Sequence, residues 1–146
     1  MPSRSISERV ERLAVASVGI TAAALAESDG NGPELTLPQW RCLVLLGNHG
    51  QLRVTDLAGM LSTSLPSASR MLGRLERRDL VETERDETDR RSHLVRLSGR
   101  GEAALHAVIG ARRLRIANAL RGRRTPMPED LATGLDAIIE ALEGYA

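Results

Sequence analysis

This 146-residue chain has no lysine: its 20 permanently cationic side chains are all arginines, and nine of them fall between Arg70 and Arg100 among seven acidic residues. A guanidinium is a planar fork of N–H donors that matches acceptors presented in pairs, on a carboxylate, a phosphate or a guanine edge. Arginine-only usage fits a GC-rich genome as well as it fits phosphate recognition, and the net charge is only +1, so position must decide. Two clusters matter. Pro66, Ser67, Ser69, Arg70 and Arg74 stand together in SLPSASRMLGRLERRDLV, and Asp89, Arg90 and Arg91 stand in RDETDRRSHLVRLS, Arg85 to Ser98.

Periodicity indicates the elements that must hold these clusters. In the first, Ala68, Met71, Leu72 and Leu75 recur at helical spacing, which predicts an amphipathic helix over 65–78 with those residues on its core face. Ser67, Ser69, Arg70, Gly73 and Arg74 then lie toward the outer surface. Ser64 is expected to cap this helix, and Pro66 is tolerated in its first turn because a proline's missing N–H would be unpaired there anyway. A short helix over Thr55–Leu61 and a turn at Ser62-Thr63-Ser64 complete a helix-turn-helix. Asp79 stands where the second helix should end, at a place that often needs a left-handed residue, and Asp tolerates that conformation less well than Gly.

The second cluster reads as a two-stranded wing over 82–97. Val81, Thr83 and Arg85 lead in, Asp86-Glu87-Thr88-Asp89 forms a polar turn, and His93 to Leu97 alternates, with Leu94, Val95 and Leu97 available for apolar contact. Gln51 to Val54 is long enough for a strand bridging to it. Upstream, Thr36, Pro38 and Gln39 form a capping box for a helix running to about Asn48, with Trp40, Leu43, Val44 and Leu46 as its apolar body. The expected fold is mainly α with a small β-wing, a winged helix-turn-helix with helices added at both ends. A helix placed this way suits the DNA major groove: Ser67 and Ser69 donate or accept, Pro66 touches a thymine methyl, and Arg70 reaches a guanine edge or a phosphate. Arg74, Arg77 and Arg78, further along, suit the sugar-phosphate backbone.

Four blocks, in this order and spacing, carry a family resemblance. They are LTLPQWRCLVLL (Leu35 to Leu46), DLAGML (Asp56 to Leu61), SRMLGRLERRDLV (Ser69 to Val81), and Asp89-Arg90-Arg91 followed by LVRLSGRG. Through them the chain resembles the MarR (multiple antibiotic resistance regulator) family of winged-helix transcription factors. The resemblance implies a homodimeric, ligand-responsive repressor on a pseudo-palindromic operator of double-stranded DNA, with a wing arginine in the minor groove and Asp89 orienting the tip. Either Arg90 or Arg91 can be the inserted finger, and Arg91 is the first choice. It also implies a small effector, often aromatic or anionic, bound between the dimer helices and the winged domain. The chain has no Phe, and of Trp40 and Tyr145 it is Trp40 that sits nearest the expected cleft, so Trp40 is the candidate ligand contact.

Other functional classes find less in the sequence. Cys42, the only cysteine, excludes an internal disulfide and fits a reducing, cytoplasmic compartment; within WRCLVLL it reads as a small core residue. A metal- or redox-sensing member of the same family is the weaker reading, because oxidant sensors of the family generally carry a reactive cysteine in the first helix and this chain has none there. His49, His93 and His106 are isolated from one another, and no His-x-x-x-His, paired cysteines or Gly-rich phosphate loop occurs, so neither an enzyme nor a metal or other cofactor is expected. A winged-helix module for protein interaction would need no arginine at both helix and wing.

The ends of the chain complete the expectation. Arg4, Arg9 and Arg12 before LAVASVGITAAALA imitate a leader peptide, but Glu8 and Glu11 interrupt the positive region, and Ile6, Val10, Leu13, Ile20 and Ala24 recur at helical intervals. An amphipathic helix is predicted there, and no run reaches membrane-spanning length. A long helix is predicted from Gly101 to about Arg121, and Leu131, Leu135, Ile138 and Leu142 form an apolar stripe on a final one. So small a chain can hardly bury all three alone, which predicts a two-fold dimer built from residues 1–34 and 101–146 around a DNA-binding domain at 35–100.

Overall fold

Local capping and the sheet register account for most element boundaries in the computed structural model, which describes residues 5–26, 34–87, 93–122 and 127–143. The elements are α1 (Ile6–Ala26), α2 (Leu37–His49), β1 (Gln51–Arg53), α3 (Val54–Met60), α4 (Leu65–Glu76), β2 (Val81–Arg85), β3 (His93–Leu97), α5 (Gly99–Arg121) and α6 (Leu131–Glu143). The Thr36–Gln39 capping box is formed in both directions and starts α2, and Gly50, at φ 75°, closes it by donating its N–H to Leu46 O at 2.8 Å. The three strands make an antiparallel sheet in the order β1-β3-β2, with Leu52 opposite Val95 and Val95 opposite Thr83. Val54 joins α3 instead of extending the bridging strand.

Both helices of the helix-turn-helix end in the same way. After α3, Ser62 takes φ 53° while Ser62 N donates to Gly59 O at 2.9 Å and Thr63 N to Ala58 O at 3.0 Å. After α4, Asp79 takes φ 57° while Asp79 N donates to Glu76 O at 2.9 Å and Leu80 N to Leu75 O at 3.0 Å. These paired bonds are Schellman turns, each with a non-glycine residue in the left-handed position. Leu75 and Leu80, both fully buried, supply the apolar contact that accompanies the second turn. The predicted helix over 65–78 is therefore corrected at its end: Arg77 and Arg78 belong to the closing turn, because the left-handed Asp79 redirects the chain into β2.

The chain divides into two compact units, residues 1–116 and 117–146. In the first, Cys42, Leu43 and Leu46 of α2, Leu57 of α3, Leu75 of α4 and Val81 and Val95 of the wing form the centre of the core, all at most 2% exposed. Full burial of one such aliphatic side chain stabilises by about 1.5–3 kcal/mol. The C-terminal part of α1 joins this core through Ala24 and Leu25, and α5 through Ala104, Leu105 and Val108. The start of α5 is held closely: Ser98 Oγ accepts from Gly101 N at 3.0 Å and donates to Asp79 O. A Cβ on Gly101 would stand 1.9 Å from Leu80 O, so only glycine permits this approach. In the second unit α6 has no buried residue, and Leu135, Ile139 and Leu142 are 36%, 50% and 54% exposed.

Candidate nucleic-acid interface

The candidate interface is centred on α4. Ser64 caps it from an extended conformation (φ −72°, ψ 149°), its hydroxyl accepting from Ser67 N, and Pro66 occupies the first turn. Ala68, Leu72 and Leu75 are buried and Met71 is half-buried, so the inward face is the one periodicity assigned. Pro66, Ser69, Arg70 and Arg74 are exposed on the other side and Ser67 is half-buried beside them. The five candidate residues of this helix are thus brought onto one outward surface. Arg70 Nη2 donates to Ser67 Oγ at 3.0 Å. Neither Arg70 nor Arg74 makes a salt bridge with any described residue.

Asp89, Arg90 and Arg91, which the sequence places at the tip of a wing, lie outside the described residues. What is described is the base that carries them. β2 and β3 pair from Val81↔Leu97 to Arg85↔His93, so the chain leaves and re-enters the sheet at directly opposed residues. On the exposed face Arg96 pairs with Glu82 at 2.7 Å, and Gln51 Nε2 donates to Glu84 Oε1. Asp86, which the sequence placed in a polar turn, is 5% exposed and accepts from Arg53 Nε at 3.0 Å. That pair ties β1 to the root of the tip, and neither partner stood out beforehand. Periodicity could not find it, since Asp86 follows the strand and only the β1–β3–β2 register brings Arg53 near.

The remaining candidates are in the core. Trp40 is 5% exposed and packs with α2's other apolar residues. Cys42 is fully buried, and burial pushes its thiol up to about 12, which leaves it inert as a nucleophile or redox centre. Among the described residues no group of three or more His, Cys, Asp or Glu is placed to hold a metal ion, and no helix is long and apolar enough to cross a membrane. Beside α1, Arg112 of α5 donates from Nη2 to Ser17 Oγ at 3.1 Å, while its buried Nε has no hydrogen-bond partner.

Comparison with known proteins places this geometry. A model of the MarR family matches residues 35–93, from the start of α2 to the wing. Over 125 residues, 85% of this chain and 78% of the relative, the sequence is 30% identical to the HTH-type transcriptional regulator YfiV of Bacillus subtilis. The fold matches the crystal structure of RV1404 from Mycobacterium tuberculosis with a TM-score of 0.73 at 29% identity, covering 99% of this chain and 96% of that one. It also matches a MepR mutant from S. aureus bound to an oligodeoxyribonucleotide, with a TM-score of 0.66 at 19% identity, covering 98% and 99%. The chain belongs to the MarR family, whose members are winged-helix transcriptional regulators and not enzymes.

Proposed function

We propose that this protein is a homodimeric DNA-binding repressor that responds to a small-molecule effector. Each protomer lays α4 in the major groove of one half of a pseudo-palindromic operator and reaches the adjacent minor groove with the wing over 82–97. One observation carries the reading: Ser67, Arg70 and Arg74 present donors outward from α4, with no carboxylate partner among the described residues for either arginine, on a helix whose opposite face is buried in the core. Unneutralised guanidinium groups on such a face suit phosphates and guanine edges. The shared fold of the DNA-bound MepR structure supports the same docking.

In this reading residues 35–100 bind DNA, while 1–34 and 101–146 dimerise. Ile6, Leu13, Val15 and Val18 of α1 are each more than half exposed, as is Leu142 of α6, and a second copy is the natural cover for such faces. At the tip, Arg91, with Arg90 as the other candidate, enters the minor groove, where a narrow groove concentrates negative potential, and Asp89 orients it. Arg112, whose buried Nε lacks an acceptor, is the polar group for an anionic effector; Trp40, the other candidate contact, is 5% exposed and would have to be uncovered to meet it. A cytoplasmic location fits the single buried thiol. An electrophoretic mobility shift with the DNA upstream of the protein's own gene tests the proposal: a discrete complex that outlasts excess non-specific duplex is expected, and no preference for that DNA would remove it.

A further inference from the structure

The hydrogen bonds at the start of α4 settle more than the direction of its side chains. Ser64 Oγ accepts from Ser67 N at 3.4 Å and donates to Ser67 Oγ at 3.0 Å. Arg70 Nη2, three residues further on, donates to the same Ser67 Oγ at 3.0 Å. A serine hydroxyl has two acceptor sites and one proton. Both acceptor sites of Ser67 are filled, one by Ser64 and one by Arg70, so only its proton is left to offer. The Arg70 guanidinium spends one N–H on this bond and keeps the rest of its fork.

From this relay we infer that Ser67 is a positioning and specificity-determining residue, which holds the Arg70 guanidinium against the N-terminal turn of α4 so that it reads a guanine in each half-site. The inference rests on the DNA-binding reading above. Its chemistry is one of donors only. Ser67 O–H and Arg70 N–H together accept nothing, so they cannot take the N4 amino group of cytosine or the N6 amino group of adenine. Guanine is the one base whose major-groove edge offers two acceptors, O6 and N7, and a guanidinium fork fits them together. Pre-positioning also matters energetically, because a long exposed arginine loses rotamer freedom on docking unless something already restrains it. Ser67 supplies that restraint at the i,i+3 spacing of a helix surface. Had Ser67 been free it could have read a base in either polarity; the relay removes that ambiguity.

The test is selection of duplexes from a random 30-base-pair library by the full-length protein, run in parallel with Arg70→Ala, Ser67→Ala and Ser67→Thr, with thermal melting of each variant as the folding control. Wild type is expected to enrich an inverted repeat with a fixed guanine in each half. Arg70→Ala should make that position degenerate, and Ser67→Ala should relax it by about tenfold at the same position while melting as wild type does. Ser67→Thr, which keeps the hydroxyl, should restore the guanine. Replacing that guanine by 7-deazaguanine should weaken wild type and leave Arg70→Ala unchanged. If Ser67→Ala leaves the preference intact, or relaxes a different position, Ser67 does not act through Arg70 and the inference is overturned. If wild type enriches no sequence at all, it is the DNA-binding reading that fails, and the inference falls with it.

Discussion

The region from α2 to the wing buries its largest apolar residues, whereas α6 and the first part of α1, up to Val18, leave theirs exposed. Leu43, Leu46, Leu57, Leu75 and Leu80 are at most 1% exposed, whereas Ile6, Leu13, Val15, Ile139 and Leu142 are all at least half exposed. The first region ends its helices with complete hydrogen-bonded turns and caps. Its fold is specified from within. The terminal helices are well formed, but these side chains have no comparable cover among the described residues of their own unit, and the proposed function assigns that cover to a second copy. On the proposed function, the difference separates two jobs: a reading head that is finished in each protomer, and an assembly surface that is finished only between protomers.

Breaking the assembly surface should have the largest effect. Leu135→Glu with Leu142→Glu places two charges on the α6 stripe, and desolvating them is expected to weaken a dimer by at least about a hundredfold. Sedimentation should then show monomer at micromolar concentration where the wild type is dimeric. A folded wild-type monomer at that concentration would break the comparison itself. Within the reading head, Gly101→Ala should destabilise by about 3 kcal/mol, since the new Cβ meets the Leu80 carbonyl and backbone must move. Chemical denaturation measures it, and a change below 0.5 kcal/mol, about the size of a neutral surface substitution, would contradict the packing described.

The wing prediction touches only DNA. Arg91→Ala should weaken operator binding by about 1–3 kcal/mol with fold and dimer intact. Titration of labelled operator checks it, and unchanged affinity for both Arg90→Ala and Arg91→Ala would remove the minor-groove role. The smallest effect is a gain: Asp79→Gly relieves a left-handed non-glycine residue and should stabilise by about 0.5–1 kcal/mol in the same denaturation experiment. A loss of stability there would mean that the Asp79 side chain does more than occupy the turn.

The elements were legible where the chain carries its own signals. Thr36 with Gln39, the inward row Ala68, Met71, Leu72 and Leu75, and the alternation of His93 to Leu97 each follow from local spacing, and each appears as expected. Features created by tertiary register were not legible. Asp86 reads as one more polar turn residue until β1 brings Arg53 to it. Gly101 reads as part of a helix start until the Leu80 carbonyl is seen against it. The end of α4 was overestimated because Arg77 and Arg78 are good helix formers and nothing before Asp79 breaks the pattern. Of the candidate site, the outward position of Ser67, Arg70 and Arg74 was legible, but the polarity of Ser67 was not, since a sequence does not say which lone pairs are already taken.

Footprinting of the protein on the DNA upstream of its own gene tests the central claim most directly, because it reads the head and the assembly surface together. Two reading heads related by a two-fold axis should protect an inverted repeat whose half-sites lie about 10 base pairs apart, centre to centre, on one face of the duplex. If the arginines of both protomers neutralise on the order of eight phosphates, log affinity should fall against log salt with a slope near −7. Symmetric protection with that salt dependence is the predicted result; a single unsymmetrical half-site, or binding indifferent to salt, would contradict it.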